Sequence, residues 1–147
     1  MYIDRSIEKV LKKAKKQTKV VLLTGPRQIG KTTSIKAVFP EYTYITLDNE
    51  DDLYMAKTDR ALFFKDREFP IIIDEVQYAD ELLRTIKKIV DEKTDKGQIF
   101  LTGSQTYDLL SMTSESLSGR ISILEMSSLS CREIYHTNFD RPFVNVK

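Results

Sequence analysis

The sequence predicts a three-layer αβα sandwich built around a five-stranded, mostly parallel sheet. Short apolar or β-branched runs alternate along the chain with segments whose apolar residues recur at helical spacing, which is typical of βαβ units. The run at residues 71–73 is apolar at every position, as in strands that helices cover on both faces. With 147 residues, the chain is expected to form one domain over residues 1–147.

The first half of the chain predicts helices and strands in alternation. Residues 4–17 carry an apolar stripe at helical spacing, and residues 19–24 form a β-branched and leucine-rich strand. A helix is predicted over residues 31–38, where a Phe-Pro pair follows. Residues 42–47 alternate aromatic or β-branched residues with threonine, which predicts a second strand, and residues 51–64 are predicted to be helical.

The second half predicts three more strands, over residues 69–73, 98–102 and 121–126. A helix is expected between the first two of these, and Gly97 closes that segment. The apolar stripe of this helix consists of Leu82, Leu83, Ile86, Ile89 and Val90.

Charge is unevenly distributed along the chain, although the net charge is only +1. Residues 1–36 hold ten Lys/Arg against two Asp/Glu, a net +8, whereas residues 41–95 hold eight against fifteen, a net −7. The basic block is compatible with nucleic acid as a partner. A solvated helix face is the favoured interpretation, because no aromatic residues interleave the lysines.

Cysteine usage and hydropathy predict a cytoplasmic protein without a membrane partner. Cys131 is the single cysteine of the sequence, so an internal disulfide is excluded and a reducing compartment fits. We expect it to be a small packed residue rather than a nucleophile. No signal peptide is predicted at the start, and the longest apolar runs are far too short to span a bilayer.

A phosphate-binding loop is predicted between the first strand and the following helix. The spacing G-x-x-x-x-G-K-T supplies flexible glycines, inward-facing backbone N–H groups, a helix N-terminus and a lysine for the β- and γ-phosphates. The motif lies between a predicted apolar strand and a predicted helix. A chance glycine-rich turn is the alternative, and such a turn would not need these two flanking elements. The predicted nucleotide-binding residues are Gly25, Pro26, Arg27, Gln28, Ile29, Gly30, Lys31, Thr32 and Thr33.

Two adjacent carboxylates, Asp74 and Glu75, end the third predicted strand. We expect Asp74 and the Thr32 hydroxyl to hold Mg²⁺, which prefers oxygen ligands. Glu75 is then free to orient or deprotonate an attacking water. A residue with this role distinguishes hydrolases from many kinases. The alternative is a strand that simply meets solvent with charged residues.

The fourth predicted strand ends in polar residues that could sense the γ-phosphate. Thr102, Ser104 and Gln105 are the candidates, and an ordinary Gly/Ser turn is the alternative. Arg120 precedes the fifth strand. It is predicted either to neutralise transition-state charge, in its own chain or in a neighbouring subunit, or to form a surface ion pair.

Four motifs in this order resemble those of the prokaryotic AAA-type ATPases. The resemblance covers nearly the whole chain, and Asp48 after the second strand also fits it. It implies ATP as the nucleotide, a sheet ordered 5-1-4-3-2, and further chain after this core, often with a helical region and a nuclease-like domain. The matching segments are GPRQIGKTT (25–33), IIDEVQ (72–77), LTGSQ (101–105) and ESLSGR (115–120).

The expected function is therefore binding and hydrolysis of MgATP, as the motor or switch core of a larger protein. Lys31, Glu75 and Arg120 are the predicted catalytic residues. One alternative is a nucleotide-gated module with negligible hydrolysis, acting on nucleic acid or on a partner domain. A small-molecule kinase is the third possibility, which the lack of an evident acceptor-binding lid disfavours. The predicted partners are ATP, a C-terminal domain and a second copy of the chain.

Overall fold

The fold is organised around a parallel sheet of five strands. The computed structural model describes residues 2–104 and 106–136. The strand order is β2-β3-β4-β1-β5, and each of the four pairings is parallel. This confirms the predicted α/β class and the order 5-1-4-3-2. The strands are β1 (Val20–Gly25), β2 (Thr43–Thr46), β3 (Ile71–Asp74), β4 (Ile99–Ser104) and β5 (Ile121–Glu125).

Helices connect the strands and cover both faces of the sheet. The predicted helix over residues 51–64 is divided in two at Asp59, whose N–H still bonds to Met55 while its carboxylate caps the next helix through the Leu62 N–H. The helices are α1 (Ile7–Gln17), α2 (Lys31–Val38), α3 (Glu50–Thr58), α4 (Arg60–Lys65), α5 (Leu82–Glu92), α6 (Tyr107–Ser116) and α7 (Cys131–Ile134), with a short 3₁₀ helix at Val76–Ala79.

Alternating strand residues pack into two separate cores. In β1, Val20 and Leu22 join the core beneath α3–α6, whereas Val21 and Leu23 join the core beneath α1 and α2. This alternation is what a strand covered on both faces requires. None of the helices in the described part of the chain has the length and apolarity that a membrane span needs.

Two helices, α6 and α7, were not predicted from the sequence. The helix α6 begins after Thr106, whose hydroxyl accepts a hydrogen bond from the Leu109 N–H at 3.2 Å. The helix α7 begins with a capping box between Ser130 and Glu133. Cys131 is the first residue of α7 and is exposed, so the expectation of a packed cysteine was wrong.

The parallel arrangement brings the carboxyl ends of all five strands to one edge of the sheet. The first residue of the phosphate loop, Gly25, lies opposite Ser104 in the β1–β4 register. On the other side of β4, β3 ends at Asp74. The predicted loop, acidic pair and sensor strand therefore meet at this edge, where ligands of open α/β sheets bind.

Candidate functional site

The loop between β1 and α2 turns sharply where glycine is required. An added Cβ on Gly25 would stand 2.3 Å from the Met126 carbonyl oxygen, so no side chain fits at that position. Gly30 has φ 91° and directly precedes α2, and the intervening Gln28 is also left-handed, with φ 61°. These conformations fold the loop back on itself ahead of the helix N-terminus, as an anion-binding nest requires.

Lys31, the first residue of α2, points into this loop. Its side chain is buried, and Nζ donates hydrogen bonds to the carbonyl oxygens of Gly25 at 3.0 Å and Pro26 at 2.6 Å. Burial lowers the pKa of Lys31, while the negative charges of Glu75 and Asp74 act in the opposite direction. An ammonium held over the loop in this way is placed for the phosphates that the loop would receive.

The exposed part of the loop consists of Pro26, Arg27 and Gln28, and Thr33 is exposed on α2. Ile29 and Gly30 are half-buried. The sequence motif therefore includes a buried lysine, Lys31, and exposed loop residues that a nucleotide can reach.

Asp74 receives hydrogen bonds from three hydroxyl groups. The Thr32 hydroxyl donates to Oδ1 at 2.7 Å, and the Thr102 hydroxyl donates to the same oxygen. The Tyr44 hydroxyl donates to Oδ2 at 2.8 Å. Burial, together with the hydrogen bond to Asp74, raises the pKa of Tyr44, so the phenol stays protonated and remains a donor. Residues of three strands, β2, β3 and β4, and of the first turn of α2 thus fix the position of a carboxylate that is 5% exposed.

Sequence reasoning missed Tyr44. Its strand was predicted, and the order β2-β3 sets Tyr44 opposite Ile72. Side chains two residues apart in a strand share a face, so Tyr44 and Asp74 lie on the same face of adjacent strands. The strand order and register together would have found this pair.

The donor set at Thr32 and Asp74 fits a magnesium ion. A hydroxyl and a carboxylate oxygen are hard oxygen ligands, and Mg²⁺ in nucleotide sites takes few protein ligands beside phosphate oxygens and water. In residues 2–104 and 106–136, no cluster of three or more His, Cys, Asp or Glu offers an all-protein metal cage. When bound, the ion would neutralise phosphate charge, and Thr32 and Asp74 would hold it.

Glu75 follows Asp74 in a left-handed conformation, with φ 59°. Its backbone N–H donates to the Thr102 hydroxyl at 3.2 Å, and its carboxylate accepts a hydrogen bond from the Gln77 amide. Ser104, at the end of β4, donates its N–H to Gln77 Oε1 at 3.4 Å. The structure therefore brings Glu75, Thr102 and Ser104 together. The third predicted sensor residue, Gln105, lies outside the described residues.

A buried arginine supports the phosphate loop from outside. The Arg5 guanidinium donates to the Ile29 carbonyl at 2.9 Å and to the Ser127 carbonyl at 2.6 Å, and it pairs with Glu133 at 3.2 Å. Burial alone would raise the pKa of Glu133. Hydrogen bonds from the Ser130 and Ser6 N–H groups and from Arg5 outweigh it and lower the pKa to about 2. Sequence reasoning missed this cluster, because its members are 24 to 128 residues apart.

Arg120 does not join the site of its own chain. Its carbonyl accepts from the Val20 N–H at the start of β1, so it lies at the opposite edge of the sheet from the loop. Its guanidinium donates to the Asp91 carboxylate, with Nη2–Oδ2 at 3.2 Å, and lowers the pKa of Asp91. The expectation that Arg120 reaches phosphates within its own chain was wrong. Arg120 lies beside the first residue of β1, whereas the phosphate loop begins at the last residue of that strand.

Comparison with known sequences places this chain among related proteins. The sequence profile of a family described as "AAA domain" matches residues 17–135. The chain is 34% identical over 132 residues to the uncharacterized protein Rv2008c of Mycobacterium tuberculosis (strain ATCC 25618 / H37Rv), and equally to Mb2031c of Mycobacterium bovis (strain ATCC BAA-935 / AF2122/97). Each match covers 89% of this chain and 30% of the relative's length.

Solved structures share the fold at low sequence identity. The STAND protein PH0952 of Pyrococcus horikoshii, a signal transduction ATPase with a tetratricopeptide repeat sensor, aligns with a TM-score of 0.56 at 15% identity, over 92% of this chain and 25% of that chain. The DnaC helicase loader aligns with a TM-score of 0.53 at 12% identity, over 86% and 94%. Saccharomyces cerevisiae RIF2 aligns with a TM-score of 0.55 at 14% identity, over 92% and 62%.

The family profile spans most of the chain, and its boundaries enclose the phosphate loop, the acidic pair and the sensor strand. The resemblance stated from the sequence motifs is thereby confirmed. This chain belongs to the AAA domain family and is a nucleotide-binding core of the ATPase type.

Proposed function

We propose that this chain binds MgATP and hydrolyses it to ADP and phosphate. The observation that carries the proposal is the meeting of the Thr32 hydroxyl with the Asp74 carboxylate at 2.7 Å, directly beside the loop that Lys31 closes. Hydrolysis needs a phosphate cradle, a metal site and a group that positions water within one site, and Glu75 is adjacent to the metal pair.

In the proposed reaction, each residue acts on the phosphates or on water. Lys31 and the loop N–H groups stabilise the β- and γ-phosphates as charge develops on them. Thr32 and Asp74 hold the magnesium ion. Glu75 accepts the proton of the attacking water, or orients that water in line with the γ-phosphate. Thr102 and Ser104 are proposed to sense the γ-phosphate from the end of β4.

A cleft beside the loop suits the base and ribose. It has a volume of about 500 Å³, and its lining includes Tyr2, Ile3, Gly30, Thr33 and Leu129. These residues combine an aromatic ring and aliphatic side chains with polar groups near the phosphate end, as nucleotide pockets do. We propose that the adenine binds here because Gly30 and Thr33, which line the cleft, lie at the start of α2 beside the phosphate loop.

A nucleotide-gated binding module with negligible hydrolysis is the second candidate. The position of Arg120 favours it, because an arginine that is paired with Asp91 at the opposite edge cannot assist turnover in its own chain. Turnover would then depend on Arg120 of a second copy in a homo-oligomer. The chain spans 30% of the length of its relatives, which supports a role as the core of a longer protein.

The basic block at the start of the chain makes nucleic acid a further candidate partner. A solvated helix face is the favoured interpretation for the lysines of α1, of which Lys15 pairs with Glu41 at 3.5 Å.

Phosphate release by the purified chain separates the two candidates. We expect steady release that Glu75→Gln lowers by about 100-fold or more, the range for loss of a general base, while ATP still binds. Lys31→Ala serves as the blank, and Arg120→Ala measured at several protein concentrations tests for a contribution from a second copy. ATP binding without phosphate release by the unsubstituted chain at every concentration would contradict hydrolysis and support the gated module.

A further inference from the structure

The carboxylate of Glu75 is held by Gln77, the last residue of the segment IIDEVQ, to which the sequence motifs gave no role. Gln77 lies in the short 3₁₀ helix after β3, and its Nε2 donates a hydrogen bond to Glu75 Oε2. Among residues 2–104 and 106–136, no side-chain or backbone donor is bonded to the other oxygen, Oε1. One oxygen of the carboxylate is therefore held by the Gln77 amide.

Gln77 is itself fixed by the neighbouring strand. Its Oε1 accepts the N–H of Ser104, the last residue of β4, at 3.4 Å. Gly103 makes room for it, because an added Cβ there would stand 3.0 Å from Gln77 Oε1 and 2.6 Å from Leu109 Cδ2. The amide thus bridges the ends of β3 and β4, with its donor on one strand end and its acceptor on the other.

Backbone contacts hold the main chain at Glu75. The left-handed region is unfavourable for a non-glycine residue, and Glu75 keeps this conformation because its N–H donates to the Thr102 hydroxyl and its carbonyl accepts from the Tyr78 N–H at 3.1 Å. This backbone directs the side chain, but a glutamate still has three rotatable side-chain bonds. The Gln77 amide restricts them.

We propose that Gln77 is a positioning residue for ATP hydrolysis, holding the Glu75 carboxylate and linking it to the end of β4. This inference rests on the proposed hydrolysis. A carboxamide suits the task because it donates to a carboxylate and accepts from a backbone N–H at the same time. Methionine offers neither bond, and glutamate keeps the acceptor but sets a negative charge against Glu75.

The experiment compares Gln77→Met and Gln77→Glu with the unsubstituted chain in single-turnover phosphate release and ATP calorimetry. We expect the rate to fall by about 10- to 100-fold in both variants, as when a catalytic group loses its orientation. The dissociation constant for MgATP should stay within about twofold, because Gln77 has no place among the phosphate or metal ligands. A structural defect would instead weaken binding as well as turnover.

Two further variants make the test specific. Gln98→Met is the matched control, since Gln98 lies directly before the first residue of β4, at the opposite edge of the sheet, and its amide Nε2 donates to the Lys96 carbonyl at 3.4 Å. It should leave the rate unchanged. In a chain that already carries Glu75→Gln, adding Gln77→Met should lower the rate no further, because the group it positions is gone.

The outcomes for the two proposals are distinguishable. If Glu75→Gln abolishes release but both Gln77 variants turn over at the unsubstituted rate, the positioning role is overturned and hydrolysis stands. Additive losses in the double variant also overturn it. If the unsubstituted chain binds ATP but releases no phosphate, both proposals are overturned. Thermal unfolding of each variant identifies a substitution that fails to fold, and the second Gln77 variant then decides.

Discussion

At the residue scale, the sequence motifs identify the site residues but do not show which atoms surround them. The motif requires Gly25, and the structure gives the reason, because the Met126 carbonyl occupies the space of a side chain. The motif also names Asp74, but its hydroxyl partners Tyr44 and Thr102 come from other strands. The identity of a site residue can thus be predicted from the sequence motif. Its hydrogen-bond partners on other strands follow from the strand order.

Gly25→Ala tests the constraint at Gly25. The new Cβ would clash with backbone at 2.3 Å, and backbone cannot move aside cheaply, so we expect a loss of about 2–4 kcal/mol in the free energy of unfolding. Urea denaturation measures it.

Gly119→Ala is the matched control for that substitution. Gly119 also has a positive φ, 74°, but an added Cβ meets nothing within 4 Å. Its loss should be about 1 kcal/mol, from the backbone conformation alone. Equal losses at the two glycines would show that the close approach to Met126 is unimportant.

At the element scale, segments with an apolar run or a clear apolar stripe were predictable. The five strands and α1, α2 and α5 were predicted from apolar or β-branched runs, from helical spacing or from flanking residues, and β5 was found in this way although none of its residues is fully buried. The helices α6 and α7 escaped prediction because α6 has few buried residues, Leu109 and Thr113, and α7 has none. A helix with little burial leaves a weak periodic signal.

The helix α7 is tied to the start of the chain and to the phosphate loop through Arg5 and Glu133. The two side chains are 7% and 9% exposed, so breaking this pair leaves an uncompensated buried charge. Glu133→Gln should therefore lower the free energy of unfolding by about 3 kcal/mol at neutral pH. Glu41→Gln, which removes an exposed ion pair with Lys15, is the control and should cost less than about 1 kcal/mol.

The effect of Glu133→Gln should depend on pH in a defined direction. The pKa of Glu133 falls from an ordinary 4.5 to about 2 in the folded chain. A carboxylate with a lowered pKa stabilises the fold fully above its unfolded pKa and loses that contribution as pH falls toward the folded pKa. The difference between the two chains should hold above about pH 4.5 and shrink between about pH 4.5 and 2. A difference that is constant across this range would contradict the role of the charge.

At the scale of the whole molecule, topology places the chemistry. A wholly parallel sheet gathers the ends of β1, β3 and β4 at one edge, so the phosphate loop, the Asp74–Glu75 pair and the end of β4 meet although they lie in separate parts of the sequence. The same topology sends Arg120 to the other edge, where it pairs with Asp91. The sequence predicted the sheet order through a family resemblance. Because Arg120 directly precedes the predicted fifth strand, that parallel order already implied that Arg120 lies at the edge opposite the phosphate loop within one chain.

The central claim is that the loop between β1 and α2 holds a triphosphate, with Lys31 as its ammonium group. Calorimetry of the chain with MgATP tests this most directly, beside Lys31→Ala and the control Lys16→Ala on the exposed face of α1. We predict measurable association for the chain and for the control, and a weakening of about 10- to 100-fold for Lys31→Ala, the worth of one charge-assisted contact. No association, or equal affinities in all three chains, would contradict the account.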